Sequence, residues 1–218
     1  INQLSLRTHV DEIILQSDCI IIVVPSSFAA DTFRGLPRDI FRGKKIVSAI
    51  KGILPEHNLL LNEYLKNEYS VELSDYFTIL GPCHAEEVAA EKLSYLTFSG
   101  IDTVMTKKIA SFFKNDYINT IDNNDIYGVQ YAAILKNIYA LGAGIAHGLE
   151  YGDNFLSVLI ANSGDEMAGF LRKAGIQNLE VGSIEHDMHS VAKGDKQVIN
   201  YAASVYLGDL LVNCYSLY

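Results

Sequence analysis

The chain has 218 residues, 49% hydrophobic and 20% charged, which is the composition of an ordinary soluble globular protein with room for one large or two modest domains. A formal net charge of -9 sets it against nucleic acid and anionic membrane surfaces as partners, so an anionic substrate needs local positive groups. The three cysteines, Cys19, Cys83 and Cys214, are odd in number and far apart, which suits free thiols in a reducing, cytoplasmic compartment. Lys136, Asn137 and His147 break the apolar runs, so no membrane span is expected, and no signal peptide is read. The chain starts at Ile1 without a methionine and reads as beginning partway through a domain.

The first half alternates strand-like and helix-like segments. Residues 4–8 alternate as a strand does, and Thr8 is placed to cap a helix over Val10–Gln16. Residues 19–24 are continuously apolar and β-branched, the mark of a parallel strand covered on both faces, and Pro25 ends it. A strand at 45–49 then leads to a helix at 57–68, and one at 77–80 to a helix at 84–92. A further strand at 95–98 precedes a helix at 103–114, and 117–121 closes the set. Strands alternating with helices imply a parallel doubly wound α/β sheet, whose ligands lie beyond the carboxyl ends of its strands.

After Asp122 the pattern becomes helical: 125–147 is apolar nearly all round, 155–173 is ended by Gly175, and more helix runs from Ile199. A domain boundary is therefore expected near Asp122, giving 1–121 as a partial sheet domain and 122–218 as an all-helical one. Lys136 stands in the middle of the first of these helices, sharing its face with Ala132, Ala133, Tyr139 and Ala140, none of which is a counter-charge. Either its head snorkels to water, or it is buried with a lowered pKa suited to proton transfer. Neighbouring Asn137 and the small residues one turn on favour a site.

Three turns fall at successive strand ends. Pro25-Ser26-Ser27-Phe28 is placed to lay backbone and a ring against a flat cofactor, Ala49-Ile50-Lys51-Gly52 puts Lys51 at the same edge, and Gly81-Pro82-Cys83-His84-Ala85 opens a helix whose free amides suit a polar or anionic group. Lys51-Gly52, Gly81-Pro82-Cys83-His84-Ala85, Ala133-Ile134-Leu135-Lys136-Asn137, Gly148-Leu149-Glu150-Tyr151-Gly152-Asp153-Asn154 and Gly208-Asp209-Leu210 together resemble the NAD(P)-dependent glycerol-3-phosphate dehydrogenases of bacteria. The resemblance implies a Rossmann-like domain followed by a helical substrate domain, NAD or NADP as cofactor, and reduction of dihydroxyacetone phosphate to sn-glycerol 3-phosphate for phospholipid synthesis. It further implies that Lys136 and Asp209 are catalytic and lie beside one another although far apart in the chain, and that Lys51, Gly81, Cys83, Lys136, Asn137 and Asp209 meet the substrate. Phe28, Lys51 and Ala85 are implied to meet the cofactor, and a homodimer is a possible assembly.

Departures from that pattern are Cys83 where serine is common, Tyr206 where glycine is frequent, and Asn213 where threonine is common. By the same resemblance, the glycine-rich dinucleotide turn would precede Ile1 and an Arg-Asn phosphate clamp would follow Tyr218. The isolated chain is therefore expected to bind cofactor poorly and to turn over substrate barely. Two other readings stay open: a dehydrogenase of the same two-domain fold acting on another small hydroxy acid, against which the Gly-Leu-x-x-Gly-Asp-Asn loop speaks, and an inactive fragment that only folds or dimerises. No metal is expected, since His186 and His189 have no third ligand at a sensible spacing. Asp122 to Asp125 and Glu86-Glu87 read as solvated acidic stretches, and His84 and His147 as structural residues at helix ends.

Overall fold

The computed structural model describes residues 5–176 and 206–215. Helix α1 (Val10–Gln16) leads into a five-stranded sheet formed by β1 (Cys19–Ile22), β2 (Lys45–Ser48), β3 (Tyr76–Leu80), β4 (Ser94–Ser99) and β5 (Ile118–Asn123), lying in chain order across the sheet. Between the strands run α2 (Ser26–Phe33), α3 (Leu61–Tyr69), α4 (Ala85–Ala89) and α5 (Thr103–Ser111). Helices α6 (Ile126–Gly148), α7 (Gly152–Lys173) and α8 (Leu207–Tyr215) follow. None of these helices is long and apolar enough to cross a membrane.

Alternation along the strands separates two cores, as a pleated sheet requires. Ile46 and Tyr76 face α1, α2 and α3 in a cluster with Ile14, Ala29, Phe33 and Leu65, while Val47, Phe77 and Phe98 face Ile109 and Ala110 of α5. A third core is helical: Val129, Ala132 and Ala133 of α6 pack with Met167 and Leu171 of α7, Leu210 of α8, and Leu80 from the end of β3. The sheet and α6 are also tied by a buried polar chain. Tyr76 Oη donates to Gln130 Oε1 at 3.2 Å, and Gln130 Nε2 donates to Asn62 Oδ1 and to the Ile126 carbonyl, each at 3.0 Å. Such directional bonds set the rotation of α6 over the sheet more sharply than apolar contact does.

Several expectations are corrected. The sheet is not wholly parallel: β1, β2 and β3 are parallel, β4 is antiparallel to β3, and β5 is parallel to β4. The link from β3 to β4 holds only the short α4, too little to carry the chain back to the starting edge, whereas the α5 link makes a full crossover. β1 is an edge of the described sheet and is covered on one face only, with Ile21 48% exposed on the other. Residues 26–33 form a helix after Pro25 rather than an open turn. Leu4 lies outside the described residues and Ser5 to Thr8 form no strand; His9, not Thr8, is the N-cap of α1.

Three helices are shorter than their patterns suggest, and one of them, α5, ends at Ser111 rather than at 114. The first turn expected of α3 is a loop closed by a Leu54–Leu59 bridge with Asn58 at φ 52°, and the helix starts where Glu63 Oε2 accepts from the Leu60 N–H. α4 stops before Glu91, whose φ is 55°. α7 is longer than expected, because Gly152 at φ 80° starts it inside the Gly-Leu-x-x-Gly-Asp-Asn loop. The stretch expected to be helical from Ile199 lies outside the described residues up to position 205, after which α8 forms.

Gly81 turns the chain at the end of β3 with φ 133°, and a Cβ there would sit 2.7 Å from the Tyr95 carbonyl oxygen of β4. Both the backbone angle and the close approach exclude a side chain. Gly81→Ala is expected to lower the unfolding free energy by about 2 kcal/mol, read as a lowered urea midpoint; an unchanged midpoint would contradict this account of the turn.

Candidate active site

Helix α6 is built to stay put. Asp125 caps it, accepting from the Gly128 N–H at 2.8 Å, and the face that carries Val129, Ala132, Ala133 and Lys136 is covered by the end of β3 and by α7 and α8. Lys136 is thereby carried inside and is 2% exposed, so it does not snorkel. The counter-charge missing from its own helical face comes from α8, where Asp209, also 2% exposed, forms an ion pair from Oδ2 to Lys136 Nζ. This is the proximity expected of the two residues. Lys51, from the loop after β2, places its Nζ 3.8 Å from the same Oδ2 and keeps its side chain 38% exposed.

One carboxylate thus serves two ammoniums, and the cluster carries net positive charge in an acidic chain. Burial of Lys136 disfavours its charged form; Asp209 opposes that effect and Lys51 adds to it. The outcome is a pKa lowered from the ordinary 10.5 to about 8. An ammonium of that acidity gives and takes protons close to neutral pH, the property a general acid or base needs.

Cys83 stands at the edge of this cluster. Burial raises its thiol pKa, more than the Lys51 ammonium lowers it, with Asp209 raising it further. It therefore stays a neutral thiol, a weak hydrogen-bonding group, and is not an activated nucleophile. Gly81 is buried two residues before it. Asn137 is exposed on α6, and its Oδ1 accepts from Asn213 Nδ2 of α8 at 3.1 Å. Phe28 lies near the start of α2, 60% exposed, and Ala85 is the exposed first residue of α4; no bond joins either to Lys136 among the described residues. His84, the N-cap of α4, makes no capping bond with its side chain. His186 and His189 lie outside the described residues.

The acidic stretch ending at Asp125 is not merely solvated. While Oδ1 caps α6, Asp125 Oδ2 accepts from Tyr206 Oη at 2.5 Å. The Asp-x-x-Gly spacing ahead of an apolar helix was a legible N-cap signal. Nothing local marked Tyr206 as its partner.

Residues 2–105 match the family described as NAD-dependent glycerol-3-phosphate dehydrogenase N-terminus, and residues 125–218 match the corresponding C-terminus. The chain belongs to this family. It is 34% identical over 145 residues to a glycerol-3-phosphate dehydrogenase (NAD(P)+) of Streptococcus suis, covering 66% of this chain and 43% of the relative. With the enzyme of that name from Streptococcus sanguinis it shares 31% identity over 170 residues, 78% of this chain and 50% of the relative. The crystal structure of glycerol-3-phosphate dehydrogenase from Coxiella burnetii superposes with a TM-score of 0.74 at 23% identity, over 95% of this chain and 57% of that one, which shows the shared fold. The chain spans about half the length of the curated relatives it matches.

The lowered lysine pKa makes a stability prediction with a definite sign. Between about 8 and 10.5 the unfolded chain still binds the Lys136 proton while the folded chain has released it, so stability rises with pH across that window. Relative to Lys136→Met, the wild-type unfolding free energy should climb by up to about 1.4 kcal/mol per pH unit there and level off below it. Urea unfolding at four pH values checks this; a flat difference would show that the folded and unfolded lysines titrate alike.

Proposed function

We propose that this chain is the central part of an NAD(P)-dependent glycerol-3-phosphate dehydrogenase, which reduces dihydroxyacetone phosphate to sn-glycerol 3-phosphate for phospholipid synthesis. The observation that carries the proposal is the buried Lys136–Asp209 ion pair with Lys51 at 3.8 Å from the same carboxylate oxygen. In this reading 1–121 is the cofactor domain and 122–218 the substrate domain. Lys136 and Asp209 are the catalytic residues, and Lys51, Gly81, Cys83 and Asn137 join them in contacting substrate.

The residues present suit a nicotinamide cofactor lying along the carboxyl edge of β1 to β3. Phe28 offers an exposed ring for a flat heterocycle, Gly52 at φ 136° keeps the Lys51 loop free of bulk beside Ser26, and Ala85 opens α4 with a small side chain. Phe28, Lys51 and Ala85 would hold the cofactor, which when bound supplies the hydride. Lys136 holds a proton on Nζ and delivers it to the substrate oxygen as negative charge grows there. Asp209 orients that ammonium and keeps it charged until the proton is needed. Lys51, half open to solvent, draws the dianionic substrate toward the cluster. The Cys83 thiol and the Asn137 amide supply neutral hydrogen-bonding groups for the remaining oxygens.

A cytoplasmic homodimer that engages neither nucleic acid nor membrane completes the proposal. The acidic composition supports the exclusions, and the exposed apolar ridge Ile138, Leu141 and Ile145 on α6 supports a covered surface. In a chain extended at both ends to the relatives' length, Lys136→Ala should lower turnover of dihydroxyacetone phosphate by about a hundredfold or more. Cofactor affinity, measured by titration calorimetry, should change little. A variant with normal turnover would end the assignment of Lys136, and an extended wild type inert toward this substrate would end the proposed activity.

A further inference from the structure

The Asp125 carboxylate is fully committed. One oxygen caps α6 and the other receives the Tyr206 hydroxyl, at 2.8 Å and 2.5 Å respectively. It lies so close over the helix that a Cβ at position 128 would come within 1.9 Å of Oδ2, so the arrangement needs glycine there. The ring of Tyr206 is 5% exposed and packs in the helical core with Val129 and Leu210, and its carbonyl accepts from the Leu210 N–H at 3.2 Å in the first turn of α8. Burial, with the Asp125 charge adding to it, raises the phenol's pKa, so the group stays a donor.

We propose that Tyr206 is a positioning residue for the Lys136–Asp209 pair: its hydroxyl, bonded to the N-cap carboxylate of α6, fixes the register of α8 on α6 and so holds Asp209 against Lys136. Apolar contacts between two helices are non-directional and tolerate sliding, whereas a hydrogen bond to a capping carboxylate does not. Asp209 follows Tyr206 by about one helical turn, and the Asn213–Asn137 bond lies about one turn beyond it. The catalytic carboxylate is therefore bracketed by two polar ties between the same two helices. Only the consequence for turnover rests on the dehydrogenase reading; the positioning itself does not.

The test is a double-substitution cycle read on Lys136 in the 218-residue chain. With lysine 13C-labelled at Cε, the Lys136 resonance is assigned by its loss in Lys136→Met and followed against pH. In the wild type, Asp209→Asn should lower the Lys136 midpoint, since the counter-charge is gone. In Tyr206→Phe, which keeps the ring and its packing, the same Asp209→Asn change should shift the midpoint by less than half as much, because Asp209 is no longer held at the ammonium. Gly128→Ala, which displaces the Asp125 carboxylate from the other side, should weaken the coupling in the same way. A Tyr206→Phe chain that keeps the full Lys136–Asp209 coupling overturns the proposal, even if its melting temperature falls. No cofactor or turnover enters this readout, so failure of the dehydrogenase activity would leave it standing or falling on its own.

Discussion

A lysine ammonium inside an apolar helix is costly unless a charge and hydrogen-bonding groups meet it, and the fold around Lys136 answers that requirement. Its own helix supplies only alanines and a tyrosine on the neighbouring face, so the counter-ion must come from elsewhere in the chain. It comes from α8, whose Asp209 is as deeply buried as the lysine it meets. Removing Asp209 leaves the buried ammonium without its counter-charge, a change that typically costs about 3–5 kcal/mol, whereas removing Lys136 leaves Lys51 beside the carboxylate. α6 and α8 are therefore bound to one relative placement by electrostatics as well as by the core of Val129, Ala132 and Leu210.

That placement is also what gives the cluster its chemistry. The sheet contributes Lys51 from the end of β2, and the second ammonium withdraws part of the support that Asp209 gives Lys136. Burial and Lys51 pull the lysine toward neutrality, Asp209 pulls it back, and the balance lies near 8. The Tyr76–Gln130–Asn62 chain matters here because it fixes α6 on the sheet, and with it the separation of the two lysines. Net positive charge gathered at one point of an acidic protein makes that point the attractive one for an anion.

Much of this was legible in the residues alone where the signal is local. The β-branched runs gave the strands, the long and largely apolar stretch gave α6, and the isolated lysine within it marked the candidate site. Information carried by tertiary contact was not legible. The reversal of β4 depends on how far thirteen residues after Leu80 can travel, and the exposure of Ile21 depends on whether a helix covers that face of β1. Residue spacing alone does not join Lys136 to Asp209, which lie far apart in the chain; that pairing came from resemblance, and the ion pair then met it. The Asp125–Tyr206 bond had no signal at either residue beyond an N-cap pattern, because its partner arrives from another helix.

If Lys136 is the proton donor in one direction and the acceptor in the other, the two directions must depend on opposite forms of the same group. The most direct measurement is kcat/KM against pH for dihydroxyacetone phosphate reduction and for sn-glycerol 3-phosphate oxidation, in the chain extended to the relatives' length. Reduction should fall and oxidation should rise through a common midpoint near the lysine's lowered pKa of about 8. Limbs of the same sign, or profiles without a limb in that range, would contradict the assignment of proton transfer to Lys136.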